Sequence, residues 1–210
     1  MAQHGPRTRQ QILQAALKRF ANGGYAATSI QQIVSDAKVS KPALYYYFRD
    51  KAGLFQALVN EAHDERFQVV QQAAARGRGV RGQLVEILAG LFDYFHENRE
   101  LTRIAFATAF AAPGEVPPDL RYLDRCQRNL EFIRSLIRRA QVAGELGDRF
   151  DHRDLAYGFY GLAHFFIASH LLMPDFRLNR QAAVRLVDLF LTGAGAKKER
   201  RKPASRRKRS

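Results

Sequence analysis

From residue 28 to residue 51 the chain reads Thr-Ser-Ile-Gln-Gln-Ile-Val-Ser-Asp-Ala-Lys-Val-Ser-Lys-Pro-Ala-Leu-Tyr-Tyr-Tyr-Phe-Arg-Asp-Lys, and that spacing leaves few folds open. Ser29 is followed three residues later by Gln32, the capping-box pattern that opens a helix. Ile30, Ile33, Val34 and Ala37 then supply one apolar stripe. Ser40 opens a second, short helix, in whose first turn Pro42 is tolerated because no intrahelical donor is needed there. Leu44 and Phe48 lie four residues apart and share its inner face. At about 100° per residue, Pro42 and Tyr46 point away from that core, while Tyr45 and Tyr47 flank it. Three adjacent tyrosines on so short a helix cannot all be buried, so some face a surface other than the core.

The same periodicity predicts helices through the rest of the chain. Ile12, Ala16 and Phe20, joined by Leu13 and Leu17, give a helix over 7–22, stopped by Gly23-Gly24. Asp50 caps a fourth helix that continues to about Arg76. Five more follow over about 80–97, 100–112, 118–143, 154–172 and 180–191, punctuated by Gly77, Gly79, Pro113-Gly114, Pro117-Pro118, Gly144, Gly147 and Pro174. Strand signals and internal repeats are absent. The expected fold is all-α with about nine helices, an N-terminal three-helix helix-turn-helix unit followed by a larger helical unit.

Charge divides the chain in the same way. The net charge is +14, but residues 53–196 hold 17 basic and 17 acidic side chains and are neutral. Residues 1–52 carry eight Lys/Arg against two Asp/Glu, and residues 197–210 carry nine against one. A basic head beside a neutral body is the footprint of a nucleic-acid binder with a separate module. The expected division is therefore a helix-turn-helix DNA-binding domain over 1–52, a helical ligand-binding and dimerisation domain over 53–196, and a disordered basic tail over 197–210. The tail has no apolar periodicity with which to order itself. Added affinity for phosphate backbones and a solvated extension with no role are both open readings of it.

Other function classes lose ground on the same residues. The lone Cys126 allows no intramolecular disulfide and suits a reducing compartment. Residues 1–11 lack the apolar core of a signal peptide. The apolar run from Phe159 to Met173 contains Gly161, His164, Ser169 and His170 and reads as too short and polar to span a bilayer. A cytoplasmic protein without a membrane partner is expected, nucleoid-associated when on DNA. There is no phosphate loop, nucleophile elbow or paired-carboxylate constellation, so no catalytic residues, no enzyme activity and no cofactor are expected. His164 and His170 are six apart and do not share a helical face, so no metal site is expected either.

Ala27-Thr28-Ser29, Ile33-Val34, Val39-Ser40-Lys41, Ala43-Leu44-Tyr45-Tyr46-Tyr47-Phe48 and Lys51-Ala52-Gly53-Leu54-Phe55, with Phe20-Ala21-Asn22-Gly23-Gly24-Tyr25 upstream, resemble the N-terminal signature of the TetR family of transcriptional regulators. The resemblance covers roughly residues 7–60. It implies that Thr28 and Ser29 meet a phosphate and that Lys41, Pro42, Ala43 and Tyr46 read base edges. Tyr45, Tyr47 and Lys51 are implied on the phosphate backbone of a double-stranded operator. The family often has histidine where Tyr46 or Tyr47 stands, which leaves base preference open.

The resemblance further implies a homodimer and an effector pocket in the second unit. Phe92, Phe95, Arg103, Phe106, Phe110, Tyr122, Asn129, Phe132, Tyr157 and His164 offer the aromatic and sparse polar character of such a pocket. The two last helices would form the dimer face, with Gly158 and Gly161 permitting close approach and Leu186 and Phe190 adding apolar surface. The implied function is a repressor released from DNA by a small apolar or aromatic ligand. A DNA-binding regulator governed by a protein partner or by its own abundance is the alternative.

Overall fold

The computed structural model describes residues 5–193 except 110, 119, 121 and 174, together with the backbone but not the side chains of 122–125. Nine helices are present among the described residues: α1 Pro6–Ala27, α2 Ile30–Ala37, α3 Lys41–Tyr47, α4 Lys51–Arg76, α5 Gly79–Glu97, α6 Arg99–Ala109, α7 Tyr122–Val142, α8 His152–Leu172 and α9 Arg180–Thr192. The described residues include no strand. The expected all-α class and the order of helices hold. The basic tail over 197–210 and Phe110 lie outside the described residues.

Most ends sit where local chemistry puts them. Ser29 and Gln32 close a full capping box, and the Ser40, Asp50 and Asn179 side chains accept from backbone N–H groups at the starts of α3, α4 and α9. Gly24 (φ 77°, ψ 166°) breaks α1 at the expected place, but a further turn follows it to Ala27. Gly77 is required for another reason: a Cβ there would lie 2.4 Å from the backbone of Gln83, inside the first turns of α5.

Two apolar cores result. In the first, Ile12, Phe20, Ile33, Leu44 and Phe48 of α1–α3 pack with Leu54, Phe55, Leu58 and Val59 of α4 and with Ile104 of α6. The head core thus runs past residue 52 into α4 and borrows from α6. Ion pairs tie its surface, Arg19 to Asp36 (2.5 and 2.7 Å) and Arg9 to Glu61 (2.6 Å). In the second core α5 is central, burying Leu84, Ile87, Leu88 and Phe92 against α4, α7, α8 and α9. Arg180 with Glu86, and Arg81 with Asp188 (2.7 Å), fasten α9 to α5.

α8 starts two residues before the expected 154–172 and, by length and composition alone, is long and apolar enough to cross a membrane, a test that a core helix also passes. One third of its 18-residue window of mean hydropathy 1.3 is buried inside the protein, so α8 serves as a core helix on one side.

Candidate nucleic-acid interface and ligand cavity

The sharp turn between α2 and α3 is made by Lys38, which takes the left-handed conformation (φ 54°) while its N–H caps α2. α3 then leaves the head with Lys41 and Pro42 exposed at its start. Leu44 and Phe48 are buried, while Tyr46 is 70% and Tyr45 50% exposed. Tyr47 is half-buried; its hydroxyl donates to the carbonyl of Gly5 (3.0 Å), and its ring stands edge-on to Tyr46 at 4.9 Å. Lys41, Pro42, Tyr45 and Tyr46 therefore form one protruding surface, close to the division of the tyrosines that the helical wheel predicts.

Four of the residues assigned to DNA have their side chains engaged within the head. Ala43 is buried, one turn before Tyr47 on the side of α3 that leans on the core. Thr28 is only 4% exposed, and its hydroxyl donates to the carbonyl of Gly24 (2.7 Å), closing the broken end of α1. Ser29 remains exposed, but its hydroxyl is engaged with Gln32 in the capping box. Lys51 is the largest departure. Its ammonium donates to the carbonyls of Tyr25 (2.9 Å), Ala26 (3.3 Å) and Thr28 (2.9 Å) and lies 4.3 Å from the centre of the Tyr25 ring. Partial burial holds its pKa below that of an ordinary lysine. This lysine clamps the carbonyls left over at the end of α1. Exposed basic groups that the motif did not single out include Lys38 on the turn and Arg49, whose side chain is paired with Asp50 (2.9 Å).

In the body, α4, α5, α7 and α8 enclose a cavity of about 210 Å³. Four stripes at helical spacing line it: Arg66 and Val70; Ile87, Leu91 and Phe95; Cys126, Asn129, Leu130 and Ile133; Tyr160, Ala163, His164 and Ile167. Of the expected lining residues, Tyr157, His164, Phe95 and Asn129 are on this wall. Phe92 is not, since it points into the centre of the body core. Phe132 packs edge-on against Phe67 at 5.9 Å, and Arg103 is exposed on a different face, in a groove between α1 and α6. Phe106 stands behind the wall, 6.1 Å from the His164 ring. Arg66 and Tyr160 went unnoticed in the sequence, although their four-residue spacing to Val70 and His164 was available as a signal.

Polar groups on this wall are few. Arg66 Nη2 donates to His63 Nδ1 at 2.6 Å. His164 Nδ1 is 2.8 Å from the Tyr160 carbonyl. The surrounding apolar side chains lower the His164 pKa, a shift that the carbonyl opposes and the Arg66 charge reinforces. Burial likewise pushes the Tyr160 hydroxyl well above its ordinary range. No group of three or more His, Cys, Asp or Glu residues suited to a metal ion occurs among the described residues.

The expected dimer residues also divide. Leu186 is buried in the body core, and Phe190 packs on Phe159 of the same chain at 5.5 Å. Both are committed to holding α9 in place. Gly158 and Gly161 are exposed, on a face of α8 that also presents Tyr157, Phe165 (70% exposed) and Leu172 (79% exposed). Leu189 of α9 is exposed as well.

Comparison with known proteins agrees with this geometry. The model of "Bacterial regulatory proteins, tetR family" matches residues 12–58. The transcriptional regulator TtgR of Pseudomonas putida is 37% identical over 178 residues, 80% of this chain and 82% of that protein. The probable transcriptional regulator YttP of Bacillus subtilis is 29% identical over 101 residues, and the chain spans about half the length of that relative, 49%. Among solved structures, FadR of Bacillus subtilis in complex with stearoyl-CoA superposes with a TM-score of 0.76 at 16% identity, over 89% of this chain and 99% of that one. At that identity the likeness shows the fold.

Proposed function

The chain belongs to the TetR family of bacterial regulatory proteins, and we propose that it works as a homodimeric, sequence-specific DNA-binding repressor released from its operator by a small ligand. The observation that carries this reading is the course of α4. Its first turns, through Leu54, Phe55 and Leu58, are part of the head core, and the same unbroken helix supplies Arg66 and Val70 to the cavity wall. A ligand that displaces α4 therefore displaces a recognition surface.

On DNA, α3 enters the major groove with its N-terminal residues against base edges. Lys41 donates to guanine acceptors, Pro42 contacts thymine methyl groups, and Tyr46 reaches across the groove floor. Tyr45 and the exposed lysines face phosphates, which fix register without reading sequence. One head reads half an operator, so two are needed at half-sites about one helical turn apart or a multiple of it. The exposed apolar stripe of α8 and Leu189 of α9 is the surface on which a second copy would sit, covering α8 with protein rather than lipid. Gly158 and Gly161 let the two α8 helices approach closely.

Release follows from differential affinity. A ligand that binds better when the heads are wrongly spaced shifts the dimer to that state, by no more than the difference in its two affinities. The apolar wall of the cavity suits an apolar or aromatic effector body, and a protein of like fold, FadR of Bacillus subtilis, is solved in complex with stearoyl-CoA. The test is a gel shift with DNA from upstream of the protein's own gene, with and without a panel of apolar and aromatic compounds. Retention of one duplex over random DNA, reversed by one of the compounds, is expected. Absence of any sequence preference overturns the reading.

A further inference from the structure

We infer that the cavity takes an organic anion, a carboxylate on an apolar body, with its charge held by Arg66 and its oxygens by Asn129. The inference rests on the reading of this cavity as the effector site and names the effector's chemical class. Arg66 on α4 and Asn129 on α7 both line the cavity. Most of the wall around them is hydrocarbon, from Val70, Ile87, Leu91, Phe95, Ile133 and Ile167.

Arg66 is a permanent cation in that wall. No carboxylate of the described residues forms an ion pair with it, and its recorded partner is the neutral acceptor His63 Nδ1. That bond uses one of five guanidinium donors, which leaves a fork able to meet a carboxylate. A cation facing an apolar space favours a ligand that supplies the missing charge. No Asp or Glu lines the cavity, so a cationic ligand would meet only repulsion.

Asn129 provides the independent observation. It is 97% buried, yet neither its Nδ2 nor its Oδ1 has a hydrogen-bond partner among the described residues. Buried amides are ordinarily satisfied on both atoms. A purely apolar ligand would leave both bare. A carboxylate accepts from Nδ2, and a hydroxyl next to it on the ligand donates to Oδ1. Arg66 and Asn129 both line this cavity, and each is suited to a carboxylate end, with the hydrocarbon wall taking the rest.

The experiment is calorimetric titration of the full chain with three probes of one length: octanoate, octan-1-ol and octylammonium. Octanoate is expected to bind at least tenfold tighter than octan-1-ol, and octylammonium more weakly than either. Arg66→Met should bring octanoate down to the octan-1-ol level while leaving octan-1-ol unchanged, and Arg66→Lys should restore part of the preference. Asn129→Leu should weaken octanoate more than octan-1-ol, a difference that general damage to the fold does not produce. Equal binding of octanoate and octan-1-ol, binding of none of the three, or an undiminished preference in Arg66→Met overturns the inference. The same samples are then tested on a duplex that the full chain selects from a random pool. Tight octanoate binding without release of that duplex leaves the anion site standing and overturns the effector role. Release by octan-1-ol as readily as by octanoate does the reverse.

Discussion

At the scale of single residues, exposure separates the side chains proposed to act on DNA from those that hold the head together. Tyr46 is exposed on the outer side of α3 and forms no part of the head core, so Tyr46→Ala should abolish the preference for operator over random DNA while leaving the melting temperature within a degree or two, as exposed positions ordinarily do. A gel shift and a melting curve on one preparation check both halves. Lys51→Ala should behave in the opposite way. Three carbonyl partners and the Tyr25 ring would be lost, and hydrogen bonds to a charged group contribute about 1.5–3 kcal/mol each when buried. Discounted for partial exposure, the head should lose about 1–2 kcal/mol, read as a lowered denaturant midpoint. If Lys51 acted on phosphate instead, the salt slope of DNA binding would shallow by about one unit and stability would stay put. The tyrosines were legible from the sequence because a helical wheel needs only local spacing. The roles of Thr28 and Lys51 were not, because both depend on where the end of α1 comes to rest, some 23 residues or more away along the chain from the lysine.

At the scale of elements, caps and stripes were legible and facing relations were not. Ser29, Gln32, Ser40 and Asp50 cap as their spacing predicts, since the partners are three residues away. Ser29→Ala should cost about 1 kcal/mol by removing one half of the capping box at the start of α2. Urea unfolding followed at 222 nm measures this, and an unchanged midpoint would contradict it. The docking of α9 is pH-dependent in a stated direction. Hydrogen bonds from Arg180 and Arg81 hold the carboxylates of Glu86 and Asp188 below their ordinary pKa values. Groups depressed on folding stabilise fully above their unfolded values, 4.5 and 3.8 here, and lose that contribution as pH falls below them. Amide exchange in α9 should therefore be faster in Glu86→Gln than in the parent at pH 7, and the two should converge as pH falls and the Glu86 carboxylate of the parent is protonated. The apolar stripes of α5, α7 and α8 announced burial but not destination. Phe92 met the body core, Phe132 met Phe67, and Leu186 and Phe190 met their own chain, because a stripe says that a face is covered and not by what.

At the scale of the whole molecule, the α4 connection joins the basic head to the cavity, as the proposed sensor and reader require. The basic head was legible in the sequence, and the cavity was legible only as a tendency, since it exists where four helices fail to meet and no single stripe encodes a gap. The exposed stripe on α8 is the surface that the dimer should bury. Phe165→Arg should convert a dimer into a monomer in sedimentation equilibrium and weaken operator binding with it, whereas an unchanged mass would place the second copy elsewhere. The central claim is that two copies of α3 read a symmetric site, and selection of bound duplexes from a random pool by the full chain tests it most directly. The enriched sequences should contain two inverted half-sites with centres one helical turn apart, or a multiple of it, and Tyr46→Ala should enrich nothing. Enrichment of a single asymmetric element, or none by the parent protein, would contradict the account.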